Sequence, residues 1–560
     1  MALLRKSESV KALRPRTSTA TPGWTSSLRP QPVKKASPCS TACLAGTDVR
    51  GVVALLNQRE KLGLSVDEAC EQAWRLVVET NPFPATTGRI CPHRCEEACN
   101  RHQKDGGVAV GTLERFLGDW GLEHEMALPG RPDHPMHPEK VAIIGAGPAG
   151  LSCAYQLMRR GYVSTIFEGM PQPGGMLRYG IPAYRLPARV FEGEIWRILG
   201  LGVELRTKTL IGRDVSLDEL RQQYAAVFVA PGAATSRNID IPGVPGPGVC
   251  RAVEFLREVA RRGPPTVGQR VVIVGGGNTA IDAARVCARV LGGNGVITLL
   301  RQENQNVDDE LREAMEEGVS VELLATLNSV VRNANGEVDH VVVQKIELGE
   351  KDAEGFPALI PVAGQSYELR ADTVILALGQ KPDVNRIFQG EQERFEADHA
   401  GRTRTSGVWR GGDAVTPSFA AVVIGQGRQV ALSIDAELRG QPVAEAVKLP
   451  ELLASRLKLE CYDAKPRLER RLTPVRERLA DLQSETELGY DVEAALAEAG
   501  RCLSCGSCFG CERCWMYCTP GCMSRLPSVA PGHYFTINHD KCDGCRKCAE
   551  ECPTGFLDMV

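Results

Sequence analysis

The sequence predicts a multidomain α/β protein, with a helical N-terminal domain, two doubly wound α/β domains and a small C-terminal α+β domain. Three observations carry this. The chain has 560 residues, enough for several domains. Its 21 cysteines are clustered: six lie between Cys39 and Cys99, eleven between Cys502 and Cys552, and four (Cys153, Cys250, Cys287 and Cys461) in the long middle. In that middle, a strand–glycine turn–helix–strand pattern occurs twice, at 140–168 and 270–301.

Composition narrows the classes. The net charge is −3, with 24% charged and 43% hydrophobic residues. That balance supplies large cores and no global basic surface for nucleic acid. No run of 18 apolar residues predicts a membrane span. No secretory apolar segment opens the chain, so closely spaced cysteines read as metal ligands in a reducing, cytoplasmic setting rather than as disulfides. Residues 1–37 carry eight Lys/Arg against one acid, Glu8, and read as a flexible basic arm.

In order, residues 38–130 form the helical domain. Helical periodicity covers 47–80, interrupted near Gly63, and returns over 111–123. Pro and His crowd 129–138, a linker. Residues 138–250 form the first doubly wound domain, 251–380 the second, and 381–440 the remainder of the first. Residues 441–500 are charged and helical in pattern, with Pro466 and Pro474 as breakers, and read as a connector. Residues 501–560 are the cysteine-dense module.

The first unit reads as a Rossmann-like dinucleotide site. The strand 141–144 runs into Gly145-Ala146-Gly147-Pro148-Ala149-Gly150, which opens a helix, and Glu168 ends the next strand. Glycines allow a tight turn and close backbone approach to a pyrophosphate, whose charge rests on the helix N-terminus; the acid accepts from ribose hydroxyls. The second unit has Gly275-Gly276-Gly277-Asn278-Thr279-Ala280 and ends its second strand in Arg301. An arginine there pairs with the 2′-phosphate of NADP(H). Further glycine-rich strand ends occur at Gly379 and at Gly411-Gly412-Asp413. Two such sites suggest a flavin facing a nicotinamide. No Cys-x-x-Cys lies near the flavin motifs, so electrons leave by another route than a disulfide.

These motifs, together with Gly174-Gly175-Met176-Leu-Arg-Tyr-Gly-Ile-Pro-Ala-Tyr184-Arg185-Leu-Pro187 and Gly275–Asp282, resemble the glutamate synthase small-subunit family over residues 38 to about 440. That family includes the electron-input half of dihydropyrimidine dehydrogenase. The resemblance implies FAD on the first unit and NAD(P)(H) on the second, with the nicotinamide domain inserted into the FAD domain. It implies Glu168 at the FAD ribose, Gly175, Met176 and Arg185 near the flavin, and Gly412 and Asp413 facing the ribityl–pyrophosphate. Gly276, Gly277, Asn278 and Thr279 would meet the nicotinamide nucleotide's pyrophosphate. The family often has Tyr-Arg-Arg after the second strand; Leu300-Arg301-Gln302 here leans the reading slightly toward NAD(H).

The C-terminal module carries two four-cysteine runs, Cys508-x2-Cys511-x2-Cys514-x3-Cys518 and Cys542-x2-Cys545-x2-Cys548-x3-Cys552-Pro553. This is bacterial-ferredoxin spacing, and crossed ligation gives one [4Fe–4S] cluster on Cys508, Cys511, Cys514 and Cys552 and another on Cys518, Cys542, Cys545 and Cys548. Structural zinc, the alternative for such pairs, favours longer separations. Cys502, Cys505 and Cys522 exceed this count and have no assigned role. At the other end, Cys39, Cys43, Cys91, Cys95 and Cys99 resemble the family's cluster domain. Two-cluster relatives carry a further cysteine pair upstream, which this chain lacks, so one N-terminal [4Fe–4S] cluster is expected. Its ligands would be Cys43, Cys91 and Cys95, with Glu114 or Cys99 as the fourth.

The expected activity is electron transfer between NAD(P)(H), FAD and [4Fe–4S] clusters, to or from a low-potential enzyme within a hetero-oligomer. A 2-oxoacid:acceptor oxidoreductase leads the partners, followed by sulfite reductase, a similar enzyme, or ferredoxin. A flavin-based bifurcating ferredoxin/NAD(P) oxidoreductase is the alternative within this class. A non-catalytic iron–sulfur wiring or assembly module is the alternative outside it. The cofactors do the chemistry, so no catalytic acid or base is named.

Overall fold

The computed structural model describes residues 27–130, 136–237, 240–302, 309–351, 357–443 and 448–560. The chain divides into two compact units: Ser37–Lys448 with Ala464–Cys502, and the residues up to Ala36 with Leu449–Asp463 and Leu503–Val560.

The larger unit begins with helices whose starts are written locally. The Asp48 side chain accepts from Gly51 N to begin Val49–Asn57, and a Ser65/Glu68 capping box begins Val66–Val78. Pro84 opens Pro84–Ile90. The helix Val110–Glu123 packs against that helix at very short range. A Cβ on Gly118 would lie 2.1 Å from Ala85 N, and one on Gly88 2.3 Å from Arg115 N. Gly111, Glu114 and Gly118, three and four residues apart, share one helix face.

Two five-stranded parallel sheets follow. The first has the order Val408–Arg410, Ala226–Val229, Lys140–Ile144, Val163–Phe167, Glu204–Arg206. The second has the order Val319–Leu323, Val296–Arg301, Arg270–Val274, Thr373–Leu376, Val249–Arg251. In each, the strand entering the glycine turn is central and its successive neighbours lie on opposite sides. That is a topological switch point, where open α/β sheets bind ligands beyond their strand ends. The first sheet takes strands from both sides of the second in sequence, so the second domain is an insertion. The chain crosses out and back through a two-stranded ladder, Thr235–Ser236 with Gln380–Lys381. An antiparallel sheet of Ala325–Arg332, Val338–Lys351 and Pro357–Arg370 covers one face of the inserted domain.

The smaller unit holds the antiparallel pair Met523–Ala530 and His533–Ile537 and two short helices, Arg513–Met516 and Lys547–Glu550. Two expectations need correction. The arm predicted over 1–37 lies outside the described residues up to 26, but Pro30–Pro32 form a strand antiparallel to Leu557–Met559. Lys35 Nζ anchors it by donating to Gly555 O (2.6 Å) and pairing with Asp558 (2.7 Å). The connector is not mainly helical: Val475–Ala480 and Val492–Ala499 are its only α-helices among the described residues. Its arginines bind other segments instead, as where Arg478 Nη1 meets Glu316 and Arg467 Nη1 meets Gly107 O. Those side-chain bonds replace the helical ladder as the source of order. The connector is also shared, 449–463 belonging to the smaller unit and 464–500 to the larger.

Candidate redox-cofactor sites

At the first switch point the three motif glycines serve different ends. Gly145 has φ +104°, and a Cβ there would lie 2.3 Å from Ala230 O. A Cβ on Gly150 would lie 2.0 Å from Gly145 O, so this glycine lets helix Pro148–Arg159 sit on the strand. Gly147 is ordinary extended backbone, and its Cβ would find nothing nearer than Gly175 Cα at 3.9 Å. The space before this helix N-terminus is a cradle of the kind a pyrophosphate fills. Pro148 and Ala149 begin the helix.

Glu168 closes one side. Its carboxylate accepts from Ala146 N (2.8 Å) and Met170 N (2.7 Å), and burial raises its pKa despite these bonds. The 174–176 loop is tied on by Gly174 N donating to Ala146 O (2.8 Å), with Gly175 at φ +53° before Met176. On the other side Gly412 N donates to Gln426 Oε1 (3.0 Å), and a Cβ on Gly412 would touch Ala149 Cβ at 2.9 Å. Asp413 accepts from Ser418 N (2.8 Å), and burial raises it too. The backbone turn, the acid and the cradle fit a flavin dinucleotide.

The second switch point repeats the device. Gly275 (φ +147°) lies against Ala377 O, which a Cβ would approach to 2.4 Å, while a Cβ on Gly277 would meet nothing within 4 Å. Gly276 precedes it, and Asn278 and Thr279 start the helix Asn278–Val290. Arg301 is buried at the end of its strand. Gly379 (φ +94°) accepts from Arg237 N at the interdomain ladder, two residues beyond Ala377.

Arg185, expected near the flavin, is held by acids of the inserted domain. Its guanidinium pairs with Asp282 (2.9 Å) and with Glu310. Tyr184 beside it is wholly buried, donates to Asp282 (3.2 Å) and stacks under Arg289, whose Cζ is 3.8 Å from the ring centroid. Arg285 and Arg289 share Glu317, and Thr486 N donates to Tyr184 O. Residues 184–185 therefore clamp the nicotinamide-type domain. Motif matching missed this because the partners lie about a hundred residues away.

The N-terminal thiols separate into two groups. Cys43, Cys91, Cys95 and Glu114 line one cavity, with Asn81, Thr87, His93 and Ala421. Desolvation lifts the Glu114 carboxyl to about 7 although it accepts from Asn81 Nδ2 (3.0 Å). Backbone N–H groups of Thr47 and His93 point at the Cys43 and Cys91 sulfurs (3.4 Å each), bonds that tune a cluster's potential. His93 has φ +49°, and its ring fills the space over Gly111. Asn81, His93 and Gly111 carried no sequence signal. Cys39 and Cys99 do not line this cavity; the Cys99 charge is among those raising the Cys39 thiol, whose largest cause is burial.

In the smaller unit, Cys508, Cys511, Cys514 and Cys552 line one cavity and Cys518, Cys542, Cys545 and Cys548 another. Cys522 adjoins the second, its N–H donating to Cys518 Sγ (3.1 Å). No three Cys, His, Asp or Glu side chains among the described residues close to single-ion distance. The thiols instead line the cavities described above. No described helix is long and apolar enough to cross a membrane.

Comparison with known proteins agrees in each region. Residues 139–428, more than half of the chain, match the pyridine nucleotide-disulphide oxidoreductase family. Residues 32–126 match the 4Fe-4S cluster domain II of dihydropyrimidine dehydrogenase, and 535–558 a 4Fe-4S binding domain. The NADP(+)-dependent formate dehydrogenase subunit beta of Moorella thermoacetica is 34% identical over 516 residues, covering 84% of this chain and 70% of that protein. The NADPH-Fe(3+) oxidoreductase subunit beta of Geobacter sulfurreducens is 33% identical over 516 residues, covering 84% and 75%. The glutamate synthase [NADPH] small chain of Escherichia coli is 35% identical over 390 residues, covering 64% and 82%. With its switch-point cradles and thiol cavities, the chain belongs to the glutamate synthase small-chain-like group of pyridine nucleotide–disulphide oxidoreductases, FAD- and NAD(P)-dependent enzymes that here carry 4Fe–4S domains at both ends.

Proposed function

We propose that this chain is the electron-transfer subunit of a hetero-oligomeric oxidoreductase, exchanging electrons between NADP(H) and a low-potential partner. One observation carries the reading. The helix Ala420–Leu438 touches both kinds of site: Ala421 lines the Cys43/Cys91/Cys95/Glu114 cavity, and Gly427 packs on Ala149 at the flavin cradle. Gly425 packs on Leu44 O beside the thiol loop. A single rigid element thus spaces cluster from flavin.

FAD, when bound, supplies the exchange between a two-electron hydride donor and one-electron carriers. The protein's part is to hold the groups. Gly147 and the helix N-terminus receive the FAD pyrophosphate, Glu168 the ribose, and Asp413 the ribityl side. Gly277, Asn278 and Thr279 receive the nicotinamide nucleotide, with Arg301 at its 2′-phosphate. Cys43, Cys91, Cys95 and Glu114 hold the N-terminal cluster, and the two ferredoxin cavities hold one each. A carboxylate ligand from Glu114, harder than a thiolate, would alter the potential of that cluster.

NADP(H) is chosen because the three relatives above carry NADP or NADPH in their names, which outweighs the lean to NAD(H) drawn from Gln302. The name of the Moorella thermoacetica relative puts a formate dehydrogenase ahead of a 2-oxoacid oxidoreductase as partner. Anaerobic titration with NADPH and NADH separately, followed by flavin absorbance and low-temperature EPR, tests the reading. NADPH is expected to bleach the flavin and develop cluster signals. Bleaching by NADH alone overturns the nucleotide choice, and no bleaching of FAD-replete protein by either overturns the function.

A further inference from the structure

We propose that Asn81 is a positioning residue of the N-terminal cluster site, its side-chain amide fixing the Glu114 carboxylate as fourth ligand beside Cys43, Cys91 and Cys95. This rests on the Glu114 ligation proposed above and adds the residue that makes it work.

Asn81 lies just beyond the helix Val66–Val78 and is 0% exposed. It lines the same cavity as the three thiols and Glu114, where Val52, Val77 and Leu113 supply apolar wall. Every polar atom of its side chain is engaged. Oδ1 accepts from Phe83 N (3.0 Å). Nδ2 donates to Thr87 Oγ1 (2.7 Å) and to Glu114 Oε1 (3.0 Å). The amide cannot turn over, because that would set its NH2 against Phe83 N, which is also a donor. Its backbone is pinned as well, Asn81 N donating to Val77 O (3.0 Å). Thr87 is the second side chain at the carboxylate, but its hydroxyl proton goes to Phe83 O (2.8 Å). Asn81 therefore supplies the donor that holds Glu114.

These bonds divide by atom into two tasks. Oδ1 shapes the turn that leads into Pro84–Ile90, the helix whose C-cap is Cys91. That task accounts for an acceptor at this place and for nothing more. Nδ2 reaches across to the helix Val110–Glu123 and holds one oxygen of Glu114, leaving the other for iron. A group that hydrogen-bonds a metal ligand sets its orientation, and its loss costs roughly 10- to 100-fold in metal affinity. In an apolar cavity no water takes over that bond, so the effect belongs to Asn81 alone.

The test is loss of the fourth iron from anaerobically purified, full-length holoprotein on oxidation by ferricyanide. A [4Fe–4S]2+ cluster then releases one Fe2+ and passes one electron to ferricyanide, leaving [3Fe–4S]+, which has its own EPR signal. Asn81→Asp keeps the shape and the acceptor for Phe83 N but sets an acceptor where Glu114 needs a donor. It is expected to develop the three-iron signal roughly 10-fold or more faster than the parent, at parental FAD content. Glu114→Ala should show the same spectrum. The ferredoxin clusters are common to all variants, so the difference belongs to the N-terminal site. Thr87→Val removes the brace on Nδ2 at nearly constant shape and should shift the rate in the same direction, which guards against an Asn81→Asp protein that does not fold. Parental rates in both variants, while Glu114→Ala sheds its iron, overturn the role of Asn81. So does loss of the whole cluster from Asn81→Asp, about four iron atoms with no three-iron signal, which marks a purely structural asparagine. A Glu114→Ala protein that keeps its iron as the parent does overturns the Glu114 ligation itself.

Discussion

Replacing Gly147 by alanine separates what the first cradle does for FAD from what it does for the fold. Gly147 has φ −82° and ψ −178°, backbone that any residue adopts, and the added methyl would find its nearest atom 3.9 Å away. The protein without FAD should therefore lose no more than about 0.5 kcal/mol. The methyl does occupy the space a pyrophosphate needs before the helix N-terminus. Forcing that contact carries an overpacking cost of roughly 1–3 kcal/mol. At about 1.4 kcal/mol per tenfold, FAD should bind roughly 5- to 150-fold more weakly. Gly150→Ala is the contrast: its methyl would lie 2.0 Å from Gly145 O, so the strain falls on the protein with or without flavin. The assay pairs the melting temperature of the flavin-free protein with FAD affinity from quenching of flavin fluorescence. A Gly147→Ala protein that melts as low as Gly150→Ala, or binds FAD as tightly as the parent, would refute the reasoning.

The same logic predicts that Gly277→Ala weakens the nicotinamide nucleotide without displacing FAD, read as a raised KM for NADPH at parental flavin content, because its methyl also points into open space. Gly111→Ala should destabilise by about 1–3 kcal/mol and shed the N-terminal cluster, since its Cβ would lie 2.2 Å from the His93 ring; iron content and thermal melting check this. Cys508→Ser and Cys552→Ser should abolish the same EPR signal and Cys518→Ser a different one, because the first two share a cavity. Burial alone would raise Glu317, but hydrogen bonds from Arg285 (2.7 Å) and Arg289 (2.6 Å) hold it below the usual carboxylate range. Its contribution is present above about pH 4.5 and is lost as pH falls through its lowered folded value. Glu317→Gln should therefore flatten the acid limb of stability, measured by denaturant midpoints across that range.

Much of this protein was legible because its chemistry is local. A pyrophosphate turn occupies six residues, from Gly145 to Gly150, and the packing reasons for Gly145 and Gly150 lie within the same strand, turn and helix or on the adjoining strand. Ferredoxin ligands announce themselves by spacing, and the two C-terminal cavities are lined by the thiols that spacing groups together. Helix starts such as Ser65–Glu68 are equally short-range. What the motifs did not show turned on distant partners. Arg185 sits in a motif whose neighbours suggest flavin, and its charge is met by Asp282 and Glu310. The connector has a helical pattern of residues, yet its arginines find better partners elsewhere than a helix would leave them.

The sequence by itself determined which chemistry the chain carries: two nucleotide cradles and several sets of thiolate ligands, each declared by residues a few positions apart. Only the tertiary structure decided how those parts are shared out. Cys39 and Cys43 lie four residues apart, but only Cys43 lines the Glu114 cavity. Arg101 reaches the Arg501 carbonyl across 400 residues of chain. The physical reason is burial. A desolvated guanidinium or carboxylate must find a partner wherever the fold brings one, and sequence spacing places no constraint on where that is.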